Sequence, residues 1–132
     1  MPKQKELKTV SIGSFHKTND NILVVELFPD AVITLRNVEQ ISLEADAIME
    51  TNKYGVMLDT RNHNTWDVPS EVLKYLSNNK YSHKQTAFAV VLNSLPMRIF
   101  ARFFISFHKP VVPTKLFTSP ERAKKWLISK AN

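Results

Sequence analysis

From Tyr54 to Leu127 the sequence alternates short apolar runs with stretches whose apolar residues recur every three or four positions. Strands separated by single amphipathic helices leave few solutions: a parallel or mixed sheet, joined by right-handed crossovers, with helices packed on it. Tyr54 to Thr60 (YGVMLDT) is apolar and ends in polar residues, as a buried strand does. Thr86 to Leu92 (TAFAVVL) is apolar on both faces and is expected near the middle of the sheet. Thr114 to Phe117 (TKLF) reads as a short last strand, and the gaps between Leu58, Val90 and Leu116 each leave room for one helix.

The helices are legible from their spacing and their caps. Pro69-Ser70-Glu71 opens one, capped by Asp67 or a neighbour of Val68, with Val72, Leu73, Tyr75 and Leu76 on its apolar face. Ser94 precedes a helix from Leu95 to about Phe107, in which Pro96 occupies the first turn, where its missing N–H costs nothing. Phe100, Phe103, Phe104 and Phe107 fall on one stripe of it. Thr118-Ser119-Pro120-Glu121 reads as a capping box before a final helix with Ala123, Trp126 and Leu127 facing inward.

Towards the N-terminus, residues 1–9 read as a frayed, lysine-rich end, and Val10, Ile12 and Phe15 as a short edge strand. Ile22 to Phe28 is a strand closed by the turn signal Pro29-Asp30. Ala31 to Leu35 either pairs back on it or leads straight into a helix capped by Thr34. That helix buries Val38, Ile41, Ala45, Ile48 and Met49 and stops near Asn52-Lys53. The predicted fold is one α/β domain over residues 1–132, with a single mixed, largely parallel sheet of four to five strands.

Composition removes several chemistries. The chain has 132 residues, 43% of them hydrophobic and 23% charged, an ordinary globular balance. It has no cysteine, which excludes disulfides, thiolate catalysis and cysteine-containing zinc sites. Met1 to Lys8 lacks the apolar core of a signal peptide, and the longest apolar run, Ala87 to Leu92, is too short to span a bilayer. The expectation is a cytoplasmic protein without a transmembrane segment. Residues 1–66 hold seven Lys/Arg against nine Asp/Glu, and residues 67–132 hold eleven against three. A basic half can attract nucleic acid, anionic lipid or an acidic protein, or can simply be solvated lysines on helix exteriors. RNA-binding aromatics and a helix-turn-helix glycine turn are both missing, so nucleic acid is not the expected partner.

No catalytic grouping stands out. His16, His63, His83 and His108 lack metal-ligand spacing. His63, in the loop after the 54–60 strand, has only Asp59 and Asp67 nearby, and reads as a loop histidine before a metal ligand or general base. Ser94 lies between a strand and a helix but without flanking glycines, so it reads as an N-cap and not as a nucleophile. With only Gly13 and Gly55 in the chain there is no phosphate-cradling loop, though the helix starts at Ser94 and Ser119 favour negative charge. Met97, Ile99 and Ile105 add apolar surface beside the phenylalanine stripe. The helix therefore reads as core, as a dimer surface, or as a contact for an apolar ligand or membrane surface.

Residues 22–128 resemble a family of small uncharacterised bacterial proteins with a SpoIIAA-like, or STAS-like, fold. The resemblance rests on ILVVEL, VITLRNVEQI, GVMLDTRN, AFAVVLNS, the helix RIFARFFISFHKP and the ending PTKLFTSPERAKKWL, and covers about four-fifths of the chain. It implies a four- or five-stranded sheet covered by helices, in a cytoplasmic protein without known enzymatic activity. STAS domains proper include anti-sigma-factor antagonists, which bind a partner kinase and are switched by phosphorylation of a serine in an Asp-Ser-Ser-Gly-like turn. Here the stretch is LDTRNHNTWDVPSEVL: Asp67 can take the aspartate's place, but Val68 and Pro69 follow, and Ser70 comes one position late.

The resulting expectation is a non-enzymatic STAS-like interaction or regulatory module, a homodimer, contacting a protein partner through Asp59, Arg61, His63, Trp66 and Ser70. The alternative is a small apolar-ligand or lipid-binding protein of SpoIIAA/CRAL-TRIO-like fold, using Met97, Phe100, Phe103, Phe104 and Phe107 as ligand or dimer surface. No catalytic residue, metal or cofactor is expected in either case.

Overall fold

The computed structural model describes residues 7–50, 52–63 and 68–131. At its start, β1 (Lys8–Thr9) and β2 (Gly13–Lys17) form a hairpin, with Lys8 opposite Phe15 and Thr9 opposite Ser14. β2 runs antiparallel to β3 (Ile22–Leu27), Phe15 lying opposite Val25. The strands cross closely at Gly13: a Cβ there would lie 2.3 Å from the carbonyl oxygen of Glu26, so only glycine fits. β4 (Tyr54–Asp59), β5 (Gln85–Val91) and β6 (Thr114–Phe117) extend the sheet in parallel.

The sheet thus has six strands in the order β1-β2-β3-β4-β5-β6, not four or five. The additional pairing comes from the N-terminus, where Lys8 and Thr9 are strand residues and not part of a frayed end. Lys8 and Thr9 are exposed, so no apolar alternation marked them; backbone pairing alone holds them.

Each parallel pair is joined by one helix. α1 (Leu35–Ile48) links β3 to β4, α2 (Ser70–Ser77) links β4 to β5, and α3 (Leu95–His108) links β5 to β6. Because the strand order never reverses, crossovers of one hand place all three helices on the same face. α4 (Pro120–Lys130) then folds back over the other face.

The caps follow the side chains available. Ala31 to Ile33 lead directly into α1, and the Thr34 hydroxyl accepts the Asn37 amide at 3.1 Å. Ser94 caps α3 in the same way, accepting the Met97 amide. α1 ends at Ile48, earlier than Asn52-Lys53, because Glu50 adopts a left-handed φ of 57°. α2 starts on Pro69 with no side-chain cap, and Asp67 lies outside the described residues. In α4 the cap is Ser119, not Thr118: it accepts the Arg122 amide and donates to Glu121 Oε2 at 2.8 Å.

The two faces are packed differently. Under α4 the floor is lowest at Gly55, Ala87 and Ala89, flanked by Ile22, Met57 and Val91, and Ala123 and Leu127 descend onto it. A Cβ on Gly55 would already lie 3.2 Å from Leu127 Cδ2. On the other face Val25, Leu58, Val90 and Leu116 lie opposite one another across four strands, under α1, α2 and α3. This second floor is bulky and branched, and the helices above it do not close on it completely.

Candidate functional site

The incomplete closure leaves an apolar cavity of about 180 Å³ between the sheet and the three crossover helices. Its floor includes Val25, Val56, Leu58, Phe88 and Val90. Its roof includes Val38, Ile41 and Ala45 from α1, Val72 and Leu76 from α2, and Phe100, Ala101 and Phe104 from α3. Leu58, Phe88 and Val90 are only half-buried although they lie within the sheet, under the helices. Side chains at such positions ordinarily touch helix atoms; here part of their surface meets empty space.

Four hydroxyls of the wall hydrogen-bond to the protein itself, while Tyr81, Gln85 and His63 add the other polar lining. Ser42 donates to Val38 O at 2.8 Å, Thr60 to Val91 O at 2.9 Å and Thr114 to Val112 O at 2.8 Å. The Tyr54 hydroxyl donates to Asp46 Oδ1 at 2.9 Å, and Lys84 Nζ sits 2.9 Å from that same oxygen. Burial, and then the Asp46 carboxylate, push the Tyr54 hydroxyl well above the usual tyrosine range. Four hydroxyl donors are therefore committed to the protein, and the wall offers a guest mainly hydrocarbon.

The loop after β4 holds most of the residues expected to meet a protein partner. Arg61 folds back on Asp59: its Nε donates to Oδ1 at 3.0 Å, an Nη to Oδ2 at 2.8 Å, and its backbone N–H to Oδ1 at 3.1 Å. The hydrogen bond to Asp59 raises the guanidinium pKa further. Arg61 remains exposed, whereas Asp59 is buried. His63 is buried at 5% exposure and lines the cavity instead of facing outward. Its Nδ1 donates to Phe28 O at 3.1 Å; a carbonyl can only accept, so that nitrogen carries the proton. Ser70 is exposed in the first turn of α2, and Trp66 lies outside the described residues.

The phenylalanine stripe of α3 divides. Met97 and Ala101 are the buried positions, packed with Leu92 against Val90 and Leu116. Phe100 and Phe104 flank them and line the cavity. Phe103 and Phe107 point to solvent and stack on each other, with ring centroids 5.6 Å apart and planes 11° apart. The residues brought together are thus Phe100, Phe104 and His63, from two separate expected sets. Val72, Leu58 and Val90, the other main cavity residues, read in the sequence only as core.

Among the described residues no group of three or more His, Asp or Glu could hold a metal ion, and no helix is long and apolar enough to cross a membrane.

A sequential mixed sheet with three helices on one face and one on the other defines a SpoIIAA-like α/β protein. An uncharacterised protein of the DUF3478 family from Shewanella loihica PV-4, solved with a SpoIIAA-like fold, superposes with a TM-score of 0.61, covering 96% of this chain and 98% of that one at 14% identity. A protein of unknown function from Arthrobacter sp. FB24 is 24% identical over 86% of this chain and 96% of its own, but its TM-score is 0.33, too low to bear on the fold. Residues 16–130 match the family described as Domain of unknown function (DUF7793), and the chain belongs to that family. No curated protein matches the sequence. The SpoIIAA-like resemblance therefore holds at the level of fold.

Proposed function

We propose that this chain is a non-enzymatic binding module that holds a small apolar molecule between its sheet and the helices α1 to α3. The observation that carries the reading is the apolar cavity of about 180 Å³ whose wall hydroxyls donate back to the protein. The space is partly open, so the apolar wall it leaves uncovered costs about 25 cal/mol per Å², and an apolar guest covering that wall would recover it. An engineered apolar cavity of about 150 Å³ stays dry and takes up benzene, which sets the scale of the guest. It is one hydrocarbon ring or a short alkyl chain, smaller than a whole acyl lipid.

Native mass spectrometry of the full chain purified under gentle conditions tests this directly. A bound mass of small-molecule size, displaced by toluene or indole, supports it. A homogeneous apo mass, together with no saturable response to those probes, would sink it.

A second reading, a protein-interaction or regulatory module, is supported by the Asp59–Arg61 fork. A guanidinium locked by two hydrogen bonds yet left exposed is preorganised to meet a carboxylate or phosphate on a partner. Its test is a pull-down in which Arg61→Ala removes a captured protein; an unchanged capture pattern would count against that surface.

A further inference from the structure

α3 presents to solvent a face that a water-soluble helix ordinarily avoids. Leu95, Ile99, Phe103 and Phe107, each four residues after the last, are 64%, 61%, 64% and 69% exposed. The stripe is about 18 Å long at 1.5 Å per residue and sweeps roughly 120° of the helix circumference. Val111, just past the helix end, continues it at 58% exposure. One flank of the stripe carries Arg98, Arg102 and Lys109.

The charge around this face has one sign over a long stretch. Residues 72–120 contain seven Lys/Arg and no Asp or Glu. They include all of α3, β5 and β6 and the segments that join them. A second copy of the chain is a poor occupant, since two such faces would bring arginines together with no carboxylate between them. Large apolar side chains beside arginines that make no salt bridge among the described residues match an anionic bilayer surface: phenylalanine and leucine enter the acyl boundary while guanidinium groups meet phosphates.

We propose that α3 is a docking element for anionic lipid bilayers, lying in the plane of the interface with Leu95, Ile99, Phe103 and Phe107 immersed. The inner face of the same helix closes the cavity through Phe100, Ala101 and Phe104, but docking is independent of what the cavity holds. A basic, phenylalanine-bearing helix surface has two jobs at a bilayer. The charges supply attraction and salt sensitivity, and the apolar stripe supplies depth.

The test is co-sedimentation of the full chain with vesicles of phosphatidylcholine alone and of phosphatidylcholine mixed with phosphatidylglycerol. Binding to the mixed vesicles, weak binding to the neutral ones, and loss on raising the salt are expected. Arg98→Gln with Arg102→Gln should weaken partitioning about twentyfold, at about fivefold per charge. Phe103→Ser with Phe107→Ser should weaken it at least about tenfold while shifting the thermal melt only slightly, since about two-thirds of each side chain is already in water. Failure of the wild-type chain to bind the mixed vesicles would overturn the proposal, whether it instead forms a dimer or captures an acidic protein. So would binding that survives the paired serine substitutions.

Discussion

Replacing Ala101 by leucine distinguishes a real cavity from a well-packed core by the sign of its effect. Ala101 is buried on the inner side of α3 and contributes to the cavity wall. Leucine adds three carbon atoms at a helical position with only a small loss of helix propensity. If those atoms enter the space of about 180 Å³, they bury against Leu58, Phe88 and Val90 without displacing protein. At about 0.8 kcal/mol per methylene the gain is up to about 2 kcal/mol. If the face were closed, the same atoms would force rotamers and backbone apart at a cost of about 1–3 kcal/mol. Urea unfolding at fixed temperature reads the difference, because a change in midpoint without a change in slope reports stability alone. The expected result is a rise in midpoint and, by heating, a melting temperature higher by about 5–10 °C. The same substitution should abolish uptake of a ring-sized probe. A lowered midpoint would refute the cavity and the function built on it.

Gly13→Ala is expected to destabilise by about 2 kcal/mol or more, because its Cβ must push aside the Glu26 backbone carbonyl; chemical denaturation checks it. Tyr54 has a raised pKa in the folded protein, so its neutral form contributes stability that is complete below the unfolded value of about 10 and is lost as pH rises beyond it. Alkaline unfolding of Tyr54→Phe should therefore begin at higher pH than that of the wild type, and coincident curves would contradict the assignment. Asp59→Ala frees Arg61 from its fork; because the guanidinium is exposed, the loss of stability should stay below about 1 kcal/mol in a thermal melt.

Much of this architecture can be read from residue spacing, and the places where reading stopped have physical causes. The runs at 54–60, 86–92 and 114–117 became β4, β5 and β6 because buried parallel strands carry near-continuous apolar sequence. Thr34 and Ser94 cap their helices as their side chains suggest. Lys8 and Thr9 escaped notice because an exposed edge strand needs no apolar pattern. The α3 stripe was the instructive case. Phe100, Phe103, Phe104 and Phe107 share a helical spacing, but periodicity alone does not say which part of a wide apolar arc meets the sheet. Ala101 and Met97 meet it, with Leu116 and Val90 below, and Phe103 and Phe107 are turned outward. The cavity had no sequence signature at all. It arises from three helices resting on a bulky floor, a property of the distance between layers and not of any one residue. His63 was visible as a loop histidine, yet its inward turn depends on a carbonyl thirty-five residues away, at Phe28.

The central claim, that the space under α1 to α3 takes a small apolar molecule, is tested most directly by methyl-resolved NMR of the full chain titrated with toluene. Saturable shifts at the methyls of Leu58, Val72 and Val90, with those of Leu127 on the inner side of α4 unmoved, are the expected result. At probe concentrations one hundred times the dissociation constant, stability should also rise by about 2.7 kcal/mol. Shifts that are absent, that fail to saturate, or that spread equally over both faces of the sheet would contradict it.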